Sequence, residues 1–167
     1  MMKKIGYEEL ELNPFRVIGE DNFLLTAGSI KDWNTMTAGW GGFGYLWNRP
    51  VVFVFVRESR YTLKYLEEND RFSLSFFKAD EANREMLRLA GTRSGRDYPK
   101  MTGLGLAAST KDDAIVFEGA NMNITATRAC IAKLDDGSFI DRSLLSYYPQ
   151  GDWHYMLVGS VDGIYVD

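Results

Sequence analysis

Val51-Val52-Phe53-Val54-Phe55-Val56 is an unbroken run of β-branched and aromatic residues, and it constrains the fold more than any other stretch. A strand with no polar face must be covered on both sides. Residues 23–28 and 33–39 read as two further strands joined by a turn at Ile30-Lys31-Asp32. Phe72-Ser73-Leu74-Ser75-Phe76 alternates with period two, which predicts a strand buried on one side. The β pattern returns over residues 114–117, 122–134, 139–140 and 155–166, with Asp135-Asp136-Gly137-Ser138 as a hairpin turn. Helical spacing is confined to the middle of the chain. Residues 62–69 place Leu63 and Leu66 on one face with Thr62 as N-cap. Residues 80–90 form a second helix that Gly91 ends, and residues 98–104 form a short helical turn. Strands, then helices, then strands predict a mainly β fold, a closed or nearly closed antiparallel barrel with peripheral helices. No repeat, low-complexity tract or linker divides it, so a single domain over 1–167 is expected.

At 167 residues with nearly half of them apolar, the chain can bury one sizeable core. Its net charge of −4 excludes a general nucleic-acid-binding surface, which relies on a positive field. An anionic ligand would need a local cluster of cations. The four Trp, nine Tyr and ten Phe suit either the core of a pleated sheet or the walls of a site for a planar ligand. Cys130 is the only cysteine, so no intrachain disulfide can form. Its small and apolar neighbours suggest a buried strand thiol, and no His or Asp lies near it in sequence to activate it. The N-terminus turns acidic where a signal peptide needs an apolar core, and no stretch reaches membrane-spanning length. A cytoplasmic protein without a membrane partner is expected.

Gly39-Trp40-Gly41-Gly42-Phe43-Gly44 satisfies G-x-G-x-x-G, but a dinucleotide fingerprint must open a helix inside a βαβ unit. Here Pro50 introduces a strand instead, and the glycines read as a loop with positive φ and close backbone approach. Arg57, Ser59, Arg60 and Thr62 follow the apolar run and precede a helix. Free N–H groups and planar guanidinium forks at such a place favour a phosphate; a solvated turn with a capping residue is the alternative. The polar stretch 92–100 holds Ser94, Arg96 and Lys100, either a contribution to the same site or an ordinary charged loop. His154 is the sole histidine, and with no other ligand at metal spacing it is a proton carrier, a hydrogen-bond donor or a structural residue.

Taken together, Asn34-x-Met36-Thr37-x-x-Trp40-Gly41, Pro50, Arg57-x-Ser59-Arg60-x-Thr62, Phe72-x-Leu74-Ser75, Ser94-Gly95-Arg96-Asp97, Lys100 and His154-x-x-x-x-Gly159 resemble the flavin reductase family of FMN-binding split β-barrels, on its flavoredoxin-like side. The resemblance runs over most of the chain in the family's order. It implies FMN held non-covalently at the interface of a homodimer, with NAD(P)H as electron donor. Carried over by position, Asn34, Met36, Thr37 and Trp40 would line the flavin ring. Arg57, Ser59, Arg60 and Thr62 would hold the phosphate and ribityl chain, and Ser94, Arg96 and Lys100 would close the site. His154 would lie on the side where the donor stacks. The implied activity is NAD(P)H-dependent flavin reduction. Alternatives are a flavoredoxin-like electron carrier serving a redox partner protein and a non-catalytic split-barrel module.

Overall fold

The computed structural model describes residues 2–167. Its strands are β1 (Lys3–Ile5), β2 (Phe23–Ser29), β3 (Asp32–Ala38), β4 (Gly41–Leu46), β5 (Arg49–Arg57), β6 (Arg71–Phe76), β7 (Ala108–Lys111), β8 (Ala114–Phe117), β9 (Met122–Leu134) and β10 (His154–Val166). Three α-helices accompany them: α1 (Thr62–Glu68), α2 (Glu81–Thr92) and α3 (Lys100–Gly103). Eight strands form one sheet in the order β3-β2-β6-β9-β10-β5-β4, with β1 added to β10; β7 and β8 pair separately. Every pairing is antiparallel.

The sheet curls around one core. Met36 and Ala38 near one edge share it with Val52, Val54 and Val56 near the other, and Leu63 and Leu66 of α1 plug it. The edges β3 and β4 do not pair, so the barrel is split. A second apolar cluster lies outside, where Leu87 and Ala90 of α2 and Ile115 and Phe117 of β8 cover Leu24 and Trp33. This second layer explains why β6 is buried on both faces rather than one. Its alternating serines face protein, not water, and are satisfied there: Ser75 Oγ donates to Asn123 Oδ1 at 2.6 Å and Ser73 Oγ to the Ile115 carbonyl.

Several local expectations change in three dimensions. The glycine-rich stretch after Trp40 is the edge strand β4, not a loop, and none of its glycines has positive φ. Close approach is what they supply: a Cβ on Gly44 would sit 2.6 Å from Phe53 Cε2, so the Phe53 ring lies across the strand. The left-handed turn comes one step later, at Trp47 and Asn48 (φ 52° and 55°), closing the β4–β5 hairpin. Thr62 is no N-cap; it begins α1 buried, and its hydroxyl accepts from Asn34. Helix α2 runs through Gly91 to Thr92 instead of stopping. Residues 139–140 form no strand, and the Asp135–Ser138 turn opens a long connection between β9 and β10 rather than a hairpin. Phe139 packs on Tyr148 and Trp153 there, while Ile140 is fully exposed. Cys130 is exposed, because the end of β9 runs past the outer layer that buries its beginning. No helix among the described residues is long and apolar enough to cross a membrane.

Strand β5 holds the most consequential difference. Val52, Val54 and Val56 are fully buried, but Phe53 and Phe55 on the opposite face remain half-exposed beside Met156 of β10. On that face the chain buries Val51 but leaves Phe53 and Phe55 only partly covered.

Candidate functional site

Beyond the C-terminal end of β5 the chain turns through 58–61 into α1, and β3 and the loop after α2 converge on that turn. Together they line a cavity of about 190 Å³ with Asn34, Arg60, Thr62, Arg93, Ser94, Arg96 and Lys100 among its walls. Four cations and no carboxylate line this space, in a chain whose net charge is −4. That local reversal of sign is what an anion site requires. Asn34 Nδ2 donates to Thr62 Oγ1 at 2.8 Å, tying β3 to α1 beneath the cavity. Gly95 is required by proximity, since a Cβ there would collide with the Asn34 amide.

Three of these cations, Arg60, Arg96 and Lys100, are held in place. Arg60 Nη1 donates to the Gly91 carbonyl at 2.9 Å. The Arg96 guanidinium stacks 4.9 Å from the Tyr61 ring centre and donates to the Ser59 carbonyl at 3.3 Å. Lys100 is buried, with its ammonium donating to the Thr35 and Ala90 carbonyls at 2.6 and 2.8 Å. Burial, with Arg60 adding repulsion, pushes its pKa down to about 8. At neutral pH it remains an ammonium, with one N–H beyond the two carbonyl bonds.

A second cavity of about 190 Å³ adjoins the first at Arg60 and is lined by Met36, Thr37, Trp40, Phe55, Arg57 and His154. Its wall is aromatic: the Trp40 ring lies 4.8 Å from the imidazole of His154 and meets Tyr147 edge-on at 5.8 Å. Thr37 Oγ1 donates to the Leu87 carbonyl at 2.5 Å, which ties this wall to α2. The His154 imidazole is buried beside Arg57, and both effects push its pKa down to about 4, so it is neutral at pH 7.

The twelve residues singled out from sequence thus divide between two joined cavities, with roles that differ from a simple reading of the motif. Arg57 does not enter the cationic cavity. Its guanidinium donates to the Asp152 and Tyr147 carbonyls at 3.1 and 3.0 Å and pins the loop before β10. Ser59 lines the cationic cavity, but its N–H and hydroxyl both donate to the Asp152 carboxylate at 2.8 Å. Arg93, Tyr61, Phe55, Tyr147 and Tyr148 were not singled out from sequence. Arg93 had a signal, its place between Thr92 and Ser94; Tyr61 fills the unspecified position between Arg60 and Thr62, Phe55 belongs to the apolar run, and Tyr147 and Tyr148 lie in a segment with no motif. Larger cavities exist, one of about 420 Å³ near Leu10, Phe76 and Met122. Carboxylates of Glu9, Glu11 and Asp21 line that one, which disqualifies it for an anion. No cluster of metal-ligating side chains occurs among the described residues.

The sequence profile described as "Flavin reductase like domain" matches residues 17–167. No curated protein matches the chain. Among solved structures, an FMN-binding protein from Thermus thermophilus with bound p-hydroxybenzaldehyde superposes with TM-score 0.69 at 17% identity, covering 99% of this chain and 82% of that one. Flavoredoxin of Desulfovibrio vulgaris (Miyazaki F) gives 0.67 at 21%, covering 100% and 77%. An NADH:FAD oxidoreductase of Streptomyces globisporus C-1027 gives 0.63 at 15%, covering 86% and 74%.

Proposed function

The chain belongs to the flavin reductase-like family, and on that premise we propose that it is an FMN-dependent oxidoreductase taking electrons from NAD(P)H and passing them to an acceptor. The observation that carries this reading is the junction at Arg60 of a cation-lined cavity with an aromatic one. Such a pair fits a ligand with an anionic tail and a flat head. FMN, held non-covalently, meets both requirements. Its phosphate would lie among Arg60, Arg93, Arg96, Ser94 and Lys100, and its ring among Met36, Thr37, Trp40 and His154. When bound, the flavin supplies a ring that takes up and releases electrons. The chain's own part is to grip the tail, wall the ring from water and keep a neutral imidazole beside it. A dedicated acid–base pair is not needed.

The half-covered strand β5 supports a homodimer. A second copy would cover Phe53, Phe55 and Met156, and because Phe55 also walls the ring cavity, the flavin would lie at the subunit interface. The whole chain acts as one flavin-binding unit in this reading, and a cytoplasmic setting would supply the NAD(P)H.

The likeness to flavoredoxin favours one second reading, an FMN electron carrier fed by a redox partner protein. Anaerobic titration of the FMN-loaded protein separates the two. Bleaching of the flavin absorbance by NADH or NADPH is the expected outcome; bleaching only by a reduced iron–sulfur protein would favour the carrier. Protein that stays colourless after incubation with FMN would overturn both.

A further inference from the structure

A buried phenol and a buried imidazole share a hydrogen bond behind the ring cavity. Tyr148 Oη lies 2.7 Å from His154 Nδ1, and the two residues are 9% and 6% exposed. Packing alone does not call for the hydroxyl: the Tyr148 ring stacks on Trp153 at 5.0 Å and tilts against Phe139 at 5.3 Å, as a phenylalanine would. The loop is fixed on both flanks of Tyr148, where the Tyr147 and Asp152 carbonyls accept from Arg57.

A neutral imidazole carries one N–H and one lone pair. Tyr148 Oη has no other hydrogen-bond partner among the described residues, and a phenol is a better donor than acceptor. The bond therefore runs from Tyr148 O–H to the Nδ1 lone pair, which leaves the imidazole proton on Nε2. That nitrogen makes no hydrogen bond within the described residues and is not among their sealed, unpaired polar atoms. His154 walls the ring cavity, with Trp40 and Phe55 as its aromatic neighbours and Arg57 and Asp152 as the charges that bear on it.

We propose that Tyr148 is a positioning residue which holds His154 as the neutral Nε2-protonated tautomer, so that the cavity offers an unpaired N–H to a carbonyl oxygen of a flat ligand. The ligand half of this statement rests on the flavin reading; the tautomer half does not. The carbonyl belongs either to the flavin ring or to a second molecule lying over it, such as a nicotinamide carboxamide.

Because His154 is the only histidine, its ring nitrogens can be read without ambiguity in ¹⁵N-labelled, flavin-free protein. At pH 7 a long-range ¹H–¹⁵N spectrum is expected to show a protonated Nε2 and an unprotonated Nδ1; the reverse pattern would overturn the proposal whatever any variant does. Tyr148→Phe keeps the ring but loses the donor to the neutral form, so a tautomer mixture and a titration midpoint raised by about one pH unit are expected. A variant spectrum unchanged from wild type would overturn the positioning role. Adding FMN to the wild type should move the Nε2 proton downfield if the flavin provides the oxygen. A shift seen only after NAD⁺ is added to the FMN complex assigns the oxygen to the second ligand. FMN that binds, by its absorbance, while neither addition moves the proton overturns the donor role. FMN that does not bind at all overturns the flavin reading and the donor role with it, while the tautomer stands or falls on the flavin-free spectra.

Discussion

At the scale of single residues, two arginines three positions apart do different work. Arg60 faces the junction of both cavities with one N–H held by the Gly91 carbonyl, while both terminal nitrogens of Arg57 are occupied by loop carbonyls. Arg60→Ala is therefore expected to weaken FMN binding by about 1.5–3 kcal/mol, measured by calorimetry, as loss of a charge-assisted contact to phosphate. His154 adds a pH signature. Its pKa is about 4 folded against 6.5 as the ordinary value, so between those limits the unfolded chain binds a proton that the folded chain refuses. Stability then falls as pH falls from 6.5 towards 4. Measured by chemical denaturation at pH 7 and pH 4.5, the wild type should lose on the order of 2 kcal/mol more than His154→Gln. The motif residues were legible as polar groups at a strand end. Which donors face a ligand was not, because Asp152, a partner nearly a hundred residues away, takes up both donors of Ser59.

At the scale of elements, the turn 57–59 and the loop 147–153 form one clamp. Besides the bonds of Arg57 and Ser59, Glu58 N–H donates to the Trp153 carbonyl and Trp153 N–H to the Glu58 carboxylate, each at 3.0 Å. Asp152 adopts φ 55° to make this closure, and Gly151 φ 77°. Arg57→Ala should cost about 1–3 kcal/mol, the loss expected when two partly exposed loop carbonyls give up a charged donor. It should also speed tryptic cleavage after Arg142, in the connection that the clamp restrains, while Arg60→Ala leaves that cleavage rate unchanged. Strands with dense β-branched or aromatic content were readable from local pattern, as were α1 and α2 to within a turn. The β4 strand was not, since its glycines carry no β propensity; pairing with β5 makes them a strand, and Gly44 leaves the room that the Phe53 ring takes up. Residues 139–140 fail the other way: Phe139 serves an aromatic cluster with Tyr148 and Trp153, not a ladder, and Ile140 is exposed.

At the scale of the whole molecule, the partly exposed face of Phe53, Phe55 and Met156 sets both assembly and ligand affinity in the proposed homodimer. Phe53→Lys places a charge at its centre, away from the cationic cavity, and is expected to shift the protein to monomer in sedimentation velocity. FMN affinity should fall in parallel, because Phe55 stands in both the face and the ring cavity. A dimer that persists in this variant would move the interface elsewhere. The apolar run through Val56 already demanded two covered faces, and that demand comes from burial alone, so the β-rich class, the helical middle and the residue types fit for an anion were all decided locally. Tertiary structure decided what no local rule contains. It set which of those cations share a cavity, whose carboxylate occupies which donor, and on which side the barrel remains split. Each of these depends on the distance between groups far apart along the chain, and only the curling of the sheet around its core brings such groups within reach of one another.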